Sequence, residues 1–184
     1  KKVPHRERVM RLAAPFAAAP FEVTRLVQRF AGLDWTGRPG VALVTQYDRD
    51  RRWRTTSLVD IAAPASPRVL FDLSANDAYG DPGEPVMQTR PSGERVALQD
   101  GDAIYLAGDG ASETGDRPFL DRFSLGTLKK ERLFRCDEGR FETFLAFAGA
   151  SRRQALVRSE SKTDPPNLYV VDGVNVTNKI GRAS

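Results

Sequence analysis

Several groups of residues have the types and spacing for chemistry. The densest is Arg49-Asp50-Arg51-Arg52-Trp53-Arg54, where guanidinium forks beside an indole could clamp a carboxylate or a phosphate. Arg52 and Arg54 alternate, which would place both on one face of a strand, and by charge complementarity alone they are the candidate contacts for an acidic group. The plainer reading is a solvated rim. Asp77, Asp81 and Glu84 supply oxygen donors of the kind calcium takes, but the alternating spacing of a calcium loop is missing and Asp81-Pro82-Gly83 is first of all a turn. Gly101-Asp102 and Gly108-Asp109-Gly110 have the glycines of a phosphate cradle, yet no Gly-Lys-Ser/Thr follows and no helix pattern opens there, so hairpin turns account for them. A serine nucleophile would need the strained G-x-S-x-G turn, which the sequence lacks, and its single histidine, His5, precedes any strand signal. No catalytic residue can be assigned. Cys136 is the only cysteine, so no intrachain disulfide and no cluster of thiolates around zinc can form, and it reads as a buried structural thiol. No cofactor and no metal is expected.

The elements that position these residues are strands. Short runs rich in β-branched, aromatic and Leu residues recur between clusters of Gly, Pro, Asp and Ser, with little helical periodicity. Strands are predicted at Gln28 to Trp35, Val41 to Tyr47, Trp53 to Ile61 and Arg68 to Leu73, followed by a turn-rich connection. The pattern returns with Pro85 to Thr89, Arg95 to Leu98 extended by Ala103 to Ala107, Phe119 to Leu125 and Glu131 to Cys136. A third unit is predicted from Phe141 to Ala148, Gln154 to Arg158, Asn167 to Asp172 and Val174 to Thr177. First strands recur about every 55 residues, within reach of a propeller blade once loop insertions are allowed. The expected fold is all-β, a partial β-propeller of about three four-stranded antiparallel blades (28–74, 84–137 and 141–178). A lead-in, 1–27, would be the end of a preceding blade or a linker. The tail 179–184 follows no strand pattern and reads as non-native. Phe30, Trp35, Phe71, Phe119, Phe123, Phe134, Phe141, Phe144 and Phe147 fall at strand positions, where they would fill the space between packed sheets.

Composition narrows the function classes. Of 184 residues, 40% are apolar and 28% charged, which suits a globular chain and excludes wholesale disorder. A net charge of +4 from 28 basic and 24 acidic side chains, mostly interleaved, gives nucleic-acid binding little support. No run approaches the roughly 20 apolar residues of a membrane-spanning helix. Lys1 to Arg11 is a poor match to a signal peptide, and the compartment is left open. Asn175-Val176-Thr177 has the form of a glycosylation acceptor but abuts the suspect tail.

The stretch Phe71-Asp72-Leu73-Ser74-Ala75-Asn76-Asp77-Ala78-Tyr79-Gly80-Asp81-Pro82-Gly83-Glu84-Pro85 resembles an inter-blade segment of glutamyl endopeptidases in the prolyl oligopeptidase family. Arg29-Phe30-Ala31-Gly32-Leu33-Asp34-Trp35, Arg51-Arg52-Trp53-Arg54-Thr55, Leu106-Ala107-Gly108-Asp109-Gly110-Ala111-Ser112 and Arg117-Pro118-Phe119-Leu120-Asp121 are similar to that family in the same order, so the resemblance covers most of the chain. It implies the non-catalytic propeller portion of a serine endopeptidase that prefers to cleave after Glu. It further implies a C-terminal α/β-hydrolase domain of the same polypeptide as partner and peptides as substrates, with the propeller gating access. A free-standing propeller acting as a protein-interaction scaffold is the alternative.

Overall fold

The computed structural model describes residues 3–64, 67–149, 151–152, 154–172 and 179–182. Every regular element among them is a β-strand. In chain order a ribbon, β1 (Glu7–Arg11) and β2 (Phe21–Leu26), precedes β3 (Arg29–Trp35), β4 (Val41–Asp48), β5 (Trp53–Asp60) and β6 (Arg68–Ser74). Short strands follow: β7 (Glu84–Pro85), β8 (Met87–Thr89), β9 (Arg95–Ala97) and β10 (Gln99–Asp100). The rest is β11 (Ala103–Gly108), β12 (Phe119–Ser124), β13 (Lys130–Arg135), β14 (Arg140–Ala148), β15 (Gln154–Ser161), β16 (Asn167–Asp172) and β17 (Lys179–Arg182). The chain falls into two compact units, Lys1–Asp77 with Met87–Asp100, and Ala78–Val86 with Gly101–Ser184.

In the first unit β3 to β6 form an antiparallel meander in sequence order, the connectivity of a propeller blade. Its inner strand β4 opens with Val41-Ala42-Leu43-Val44, and all four residues are buried. Side chains alternate across a sheet, so a continuous apolar run of this kind needs cover on both faces. One face is covered by the ribbon: Val23 and Leu26 of β2 pack with Ala42, Val44 and Val59, and Val9, Leu33 and Ile61 close the cluster. Further along, Thr45 and Thr56 lie opposite each other and their hydroxyls are 3.0 Å apart, a polar cross-strand pair where burial thins.

In the second unit β11, β12 and β13 form an antiparallel run with β7 on the far side of β11, and β14 to β17 form another four-stranded meander. Ala103 to Leu106 in β11 and Phe119 to Asp121 in β12 are buried. β7 lies tight against its neighbour at Gly83 (φ +81°), where a Cβ would stand 2.5 Å from the Ala107 carbonyl oxygen, so only glycine fits. The buried carboxylate of Asp121 accepts two hydrogen bonds from Arg132, directly opposite on β13, and that guanidinium lies 4.3 Å from the centre of the Phe119 ring. A second polar pair holds the last sheet, where buried Ser159 donates to buried Glu142 at 2.7 Å and Arg140 donates to the Ser159 hydroxyl at 3.0 Å.

Four expectations are corrected. Pro85 to Thr89 is not one strand: Glu84–Pro85 pairs with β11, whereas Met87–Thr89 pairs with β9. Arg95 to Leu98 does not extend into Ala103 to Ala107, because β9 closes a separate small hairpin with β8. Lys179–Arg182 forms β17 and pairs with β16, although it follows no strand pattern. Phe30 and Trp35 are 48% and 43% exposed and do not fill a core. Val174 to Thr177, with the glycosylation acceptor, lies outside the described residues.

Arg132 is partly exposed and Asp121 is not, so the two ends of that pair are unequal. Arg132→Met strands a buried carboxylate and should cost about 3 kcal/mol. Arg132→Met combined with Asp121→Leu should recover most of that loss. Urea unfolding of the four variants of this cycle measures both, and equal costs for the single and double variants would show that the pair does not matter.

Candidate functional site

The basic cluster lies at one end of the first unit, on the hairpin joining β4 to β5. Asp48 starts the turn, and its carboxylate accepts from the amides of Asp50 (3.1 Å) and Arg51 (3.3 Å). Arg52 closes it in the left-handed region, φ 50°, a conformation that favours glycine or asparagine, and its carbonyl accepts from the Ala75 amide at 2.7 Å. Arg54 lies one residue inside β5. The two candidate contacts therefore do not alternate along one strand: Arg52 belongs to the turn and Arg54 to the sheet. Turn chemistry, rather than strand period, governs position 52.

Beside them Trp53 is held in place. Its indole N–H donates to Asp72 Oδ1 at 2.7 Å, and the Thr55 hydroxyl donates to the same oxygen at 2.6 Å from the position opposite on β5. The Arg51 guanidinium lies 4.8 Å from the centre of the Trp53 ring. These hydrogen bonds, first Thr55 and then Trp53, hold the Asp72 carboxyl below its ordinary range, with a smaller contribution from the charge of Arg51. The hairpin thus offers a fixed indole with the Arg51 guanidinium over it, and Arg52 and Arg54 flank the indole in the chain.

The opposite end of the same unit carries a cleft of about 250 Å³, lined by Trp35, Pro39, Ile61 and Val96 with Arg38, Arg90 and Glu94. Two hairpins are stapled together to make it. Arg90 donates to the Gly37 carbonyl, and the Arg38 amide donates to Gln99 Oε1 at 3.1 Å. At Gly37 a Cβ would stand 2.7 Å from the Gln99 Cβ, so the approach requires glycine. The Arg38 guanidinium is held by Asp60 at 3.3 Å. Its polar lining is internally neutralised, and the ends of β4 lie about 23 Å apart at the usual strand rise. Cleft and basic hairpin are therefore separate places. Sequence reading missed the cleft because Arg38 and Arg90 lie far apart in the chain and no local motif joins them.

The remaining candidates resolve into structure. Among the described residues no group of three or more His, Cys, Asp or Glu side chains could hold a metal. Asp102 locks a turn, its Oδ2 accepting from the Ser124 hydroxyl and the Gly126 amide, each at 2.8 Å. Cys136 is fully buried; its thiol donates to the Arg140 carbonyl at 3.1 Å, its sulfur accepts from the Glu142 amide at 3.1 Å, and desolvation raises its pKa.

The depressed Asp72 pKa fixes a direction for pH dependence. A carboxyl whose folded pKa lies below its ordinary 3.8 contributes stability that is fully present above that value and is lost as pH falls through the folded pKa. Trp53 fluorescence should therefore hold steady down to about pH 4 and change below it. Asp72→Asn should abolish that acid-side change, and an unaltered titration in the variant would show that another group reports there.

No family model matches the chain. It is 32% identical over 161 residues, 83% of the chain, to a protein of Arabidopsis thaliana named "Probable glutamyl endopeptidase, chloroplastic". It is 31% identical over 160 residues, 79% of the chain, to a protein of the same name from Oryza sativa subsp. japonica. The chain spans 17% of the length of each of these relatives. Among solved structures, TolB from Acinetobacter baumannii aligns with 92% of this chain and 36% of its own, at 14% identity and a TM-score of 0.45. This chain is thus an all-β protein with consecutive antiparallel sheets, and it is homologous to a stretch of much larger proteins named glutamyl endopeptidases.

Proposed function

We propose that the chain is the non-catalytic propeller portion of a serine endopeptidase with a preference for cleavage after Glu, and that it controls access of peptides to a hydrolase domain carried elsewhere in the same polypeptide. The observation that carries this reading is the similarity to the two plant proteins along about four fifths of the chain, with the same name on both. Two features of the residues support it. The sequence has no G-x-S-x-G and one histidine, so hydrolysis would have to be supplied by another domain. The 48–53 hairpin holds the Arg51 guanidinium over a fixed indole, and Arg52 and Arg54, next to Trp53 in the chain, are the positions proposed to contact an acidic side chain. A carboxylate docked there gains charge-assisted hydrogen bonds, and steering by the surrounding charge raises the rate of encounter.

The test uses two proteins. The 184-residue chain alone should not hydrolyse fluorogenic peptides with Glu at the cleaved bond, whereas the full-length gene product should, with loss of activity on treatment with a serine-directed inhibitor. In the full-length protein Arg52→Ala and Arg54→Ala should each raise KM severalfold for acidic peptides, leave kcat unchanged and leave neutral peptides unaffected. Hydrolysis by the 184-residue chain, or a full-length protein without peptidase activity, would overturn the reading.

A further inference from the structure

The ribbon at the start of the first unit ends in a segment of unusual character. Leu12 to Pro20, between β1 and β2, reads Leu-Ala-Ala-Pro-Phe-Ala-Ala-Ala-Pro: it has no polar side chain and every residue is exposed. Phe16 at its tip is 67% exposed and has a positive φ of 66°, and Met10, Leu12 and Phe21 at the ribbon's end are 44%, 42% and 53% exposed. Glu7, at the other end of β1, accepts from the Arg29 side chain (2.9 Å) and the Phe30 amide (2.5 Å) at the start of β3. That end is the basic one, because Arg29 lies opposite Tyr47, next to the 48–53 hairpin. The apolar loop therefore lies at the end of the ribbon away from the 48–53 hairpin.

We propose that loop 12–20 is a docking surface for an apolar groove on another part of the same, longer polypeptide. This rests on the reading above only in requiring further chain, as in relatives of which this stretch spans 17%. The loop exposes Leu12 and Phe16 to water, and Met10 of β1 and Phe21 of β2 are exposed at the same end of the ribbon, an apolar grouping of the kind that marks an interaction surface. Area decides which partner. Met10, Leu12, Phe16 and Phe21 together expose roughly 400 Å² of side chain, half of the roughly 800 Å² per partner that stable association of separate molecules requires. A tethered partner meets the loop at an effective concentration in the millimolar range, and a small apolar patch then suffices. The same shortfall disfavours a second copy of the chain.

Hydrogen exchange of the peptide spanning 11–20 tests the proposal in the 184-residue chain and in the full-length gene product. The loop amides should exchange at least tenfold more slowly in the full-length protein. The 184-residue chain should sediment as a monomer, and Phe16→Asp in the full-length protein should restore fast exchange at 11–20 without loosening β4 and β5. Equally fast exchange in both proteins overturns the proposal. So does slow exchange in the 184-residue chain, whether from its own packing or from self-association that Phe16→Asp removes, and so does binding of that chain to phosphatidylcholine vesicles. Hydrolysis of Glu peptides by the full-length protein is read separately, so a peptidase with an unprotected loop would sink this inference alone.

Discussion

A strand that is apolar on both faces cannot exist in an isolated sheet, and this constraint organises the first unit. Val41 to Val44 of β4 are all buried, although alternation sends them to opposite faces. At about 25 cal/mol per Å² of apolar surface, leaving either face wet would forfeit several kcal/mol, a large share of the net stability of a domain. The ribbon β1–β2 answers this on one face, through Val9, Val23 and Leu26. Its other characteristics follow from that duty. A two-stranded hairpin is marginal by itself in water, and here it is held by packing and by the Glu7 bonds to the start of β3.

Apolar cover sets which faces meet but is tolerant of register, and the polar pairs supply what it lacks. A one-residue slip of β13 along β12 would carry Arg132 away from Asp121 and leave a buried carboxylate without a partner. Glu142 and Ser159 do the same for β14 and β15, with Arg140 bonding to the shared hydroxyl. Among the described residues no buried side-chain nitrogen or oxygen lacks a hydrogen bond. These groups act as register locks rather than sites: the carboxylates of Asp121 and Glu142 and the Ser159 hydroxyl are buried and hydrogen-bonded.

How much of this was legible in the sequence depends on whether the signal was local. The long strands were, because Val41 to Tyr47 or Asn167 to Asp172 are dense in strand formers and bounded by turns. The ribbon was not, since Glu7 to Arg11 and Phe21 to Leu26 mix charges with apolar residues too briefly to show a period. Nor was the change of partner at Val86, where the chain leaves β11 and turns into the β8–β9 hairpin; pairing with a distant strand has no local signature. For the candidate site, the composition of 49–54 was readable but its geometry was not. Alternation predicted Arg52 and Arg54 on one strand, and the Asp48 turn placed Arg52 outside it. Exposure of Trp35 and Phe30 was equally hidden, because strand membership says nothing about whether another sheet covers that position.

The placement of chemistry at the ends follows from the same economy of faces. Once both faces of β4 are covered, only hairpins and strand termini can carry groups that meet a ligand, as is general for loops on a rigid sheet scaffold. The two ends of the first unit have diverged accordingly. At one, Asp48 and Asp72 fix the turn and the indole, and Arg51 lies over that indole. At the other, the arginines of the cleft are tied to Asp60 and to the Gly37 carbonyl. A cationic end attracts anions through solvent over about 8 Å at physiological ionic strength, whereas an apolar end acts only on contact. On the proposed readings, contact with an acidic side chain at the hairpin and apolar docking at loop 12–20 would lie at opposite ends of the first unit and act over these different ranges.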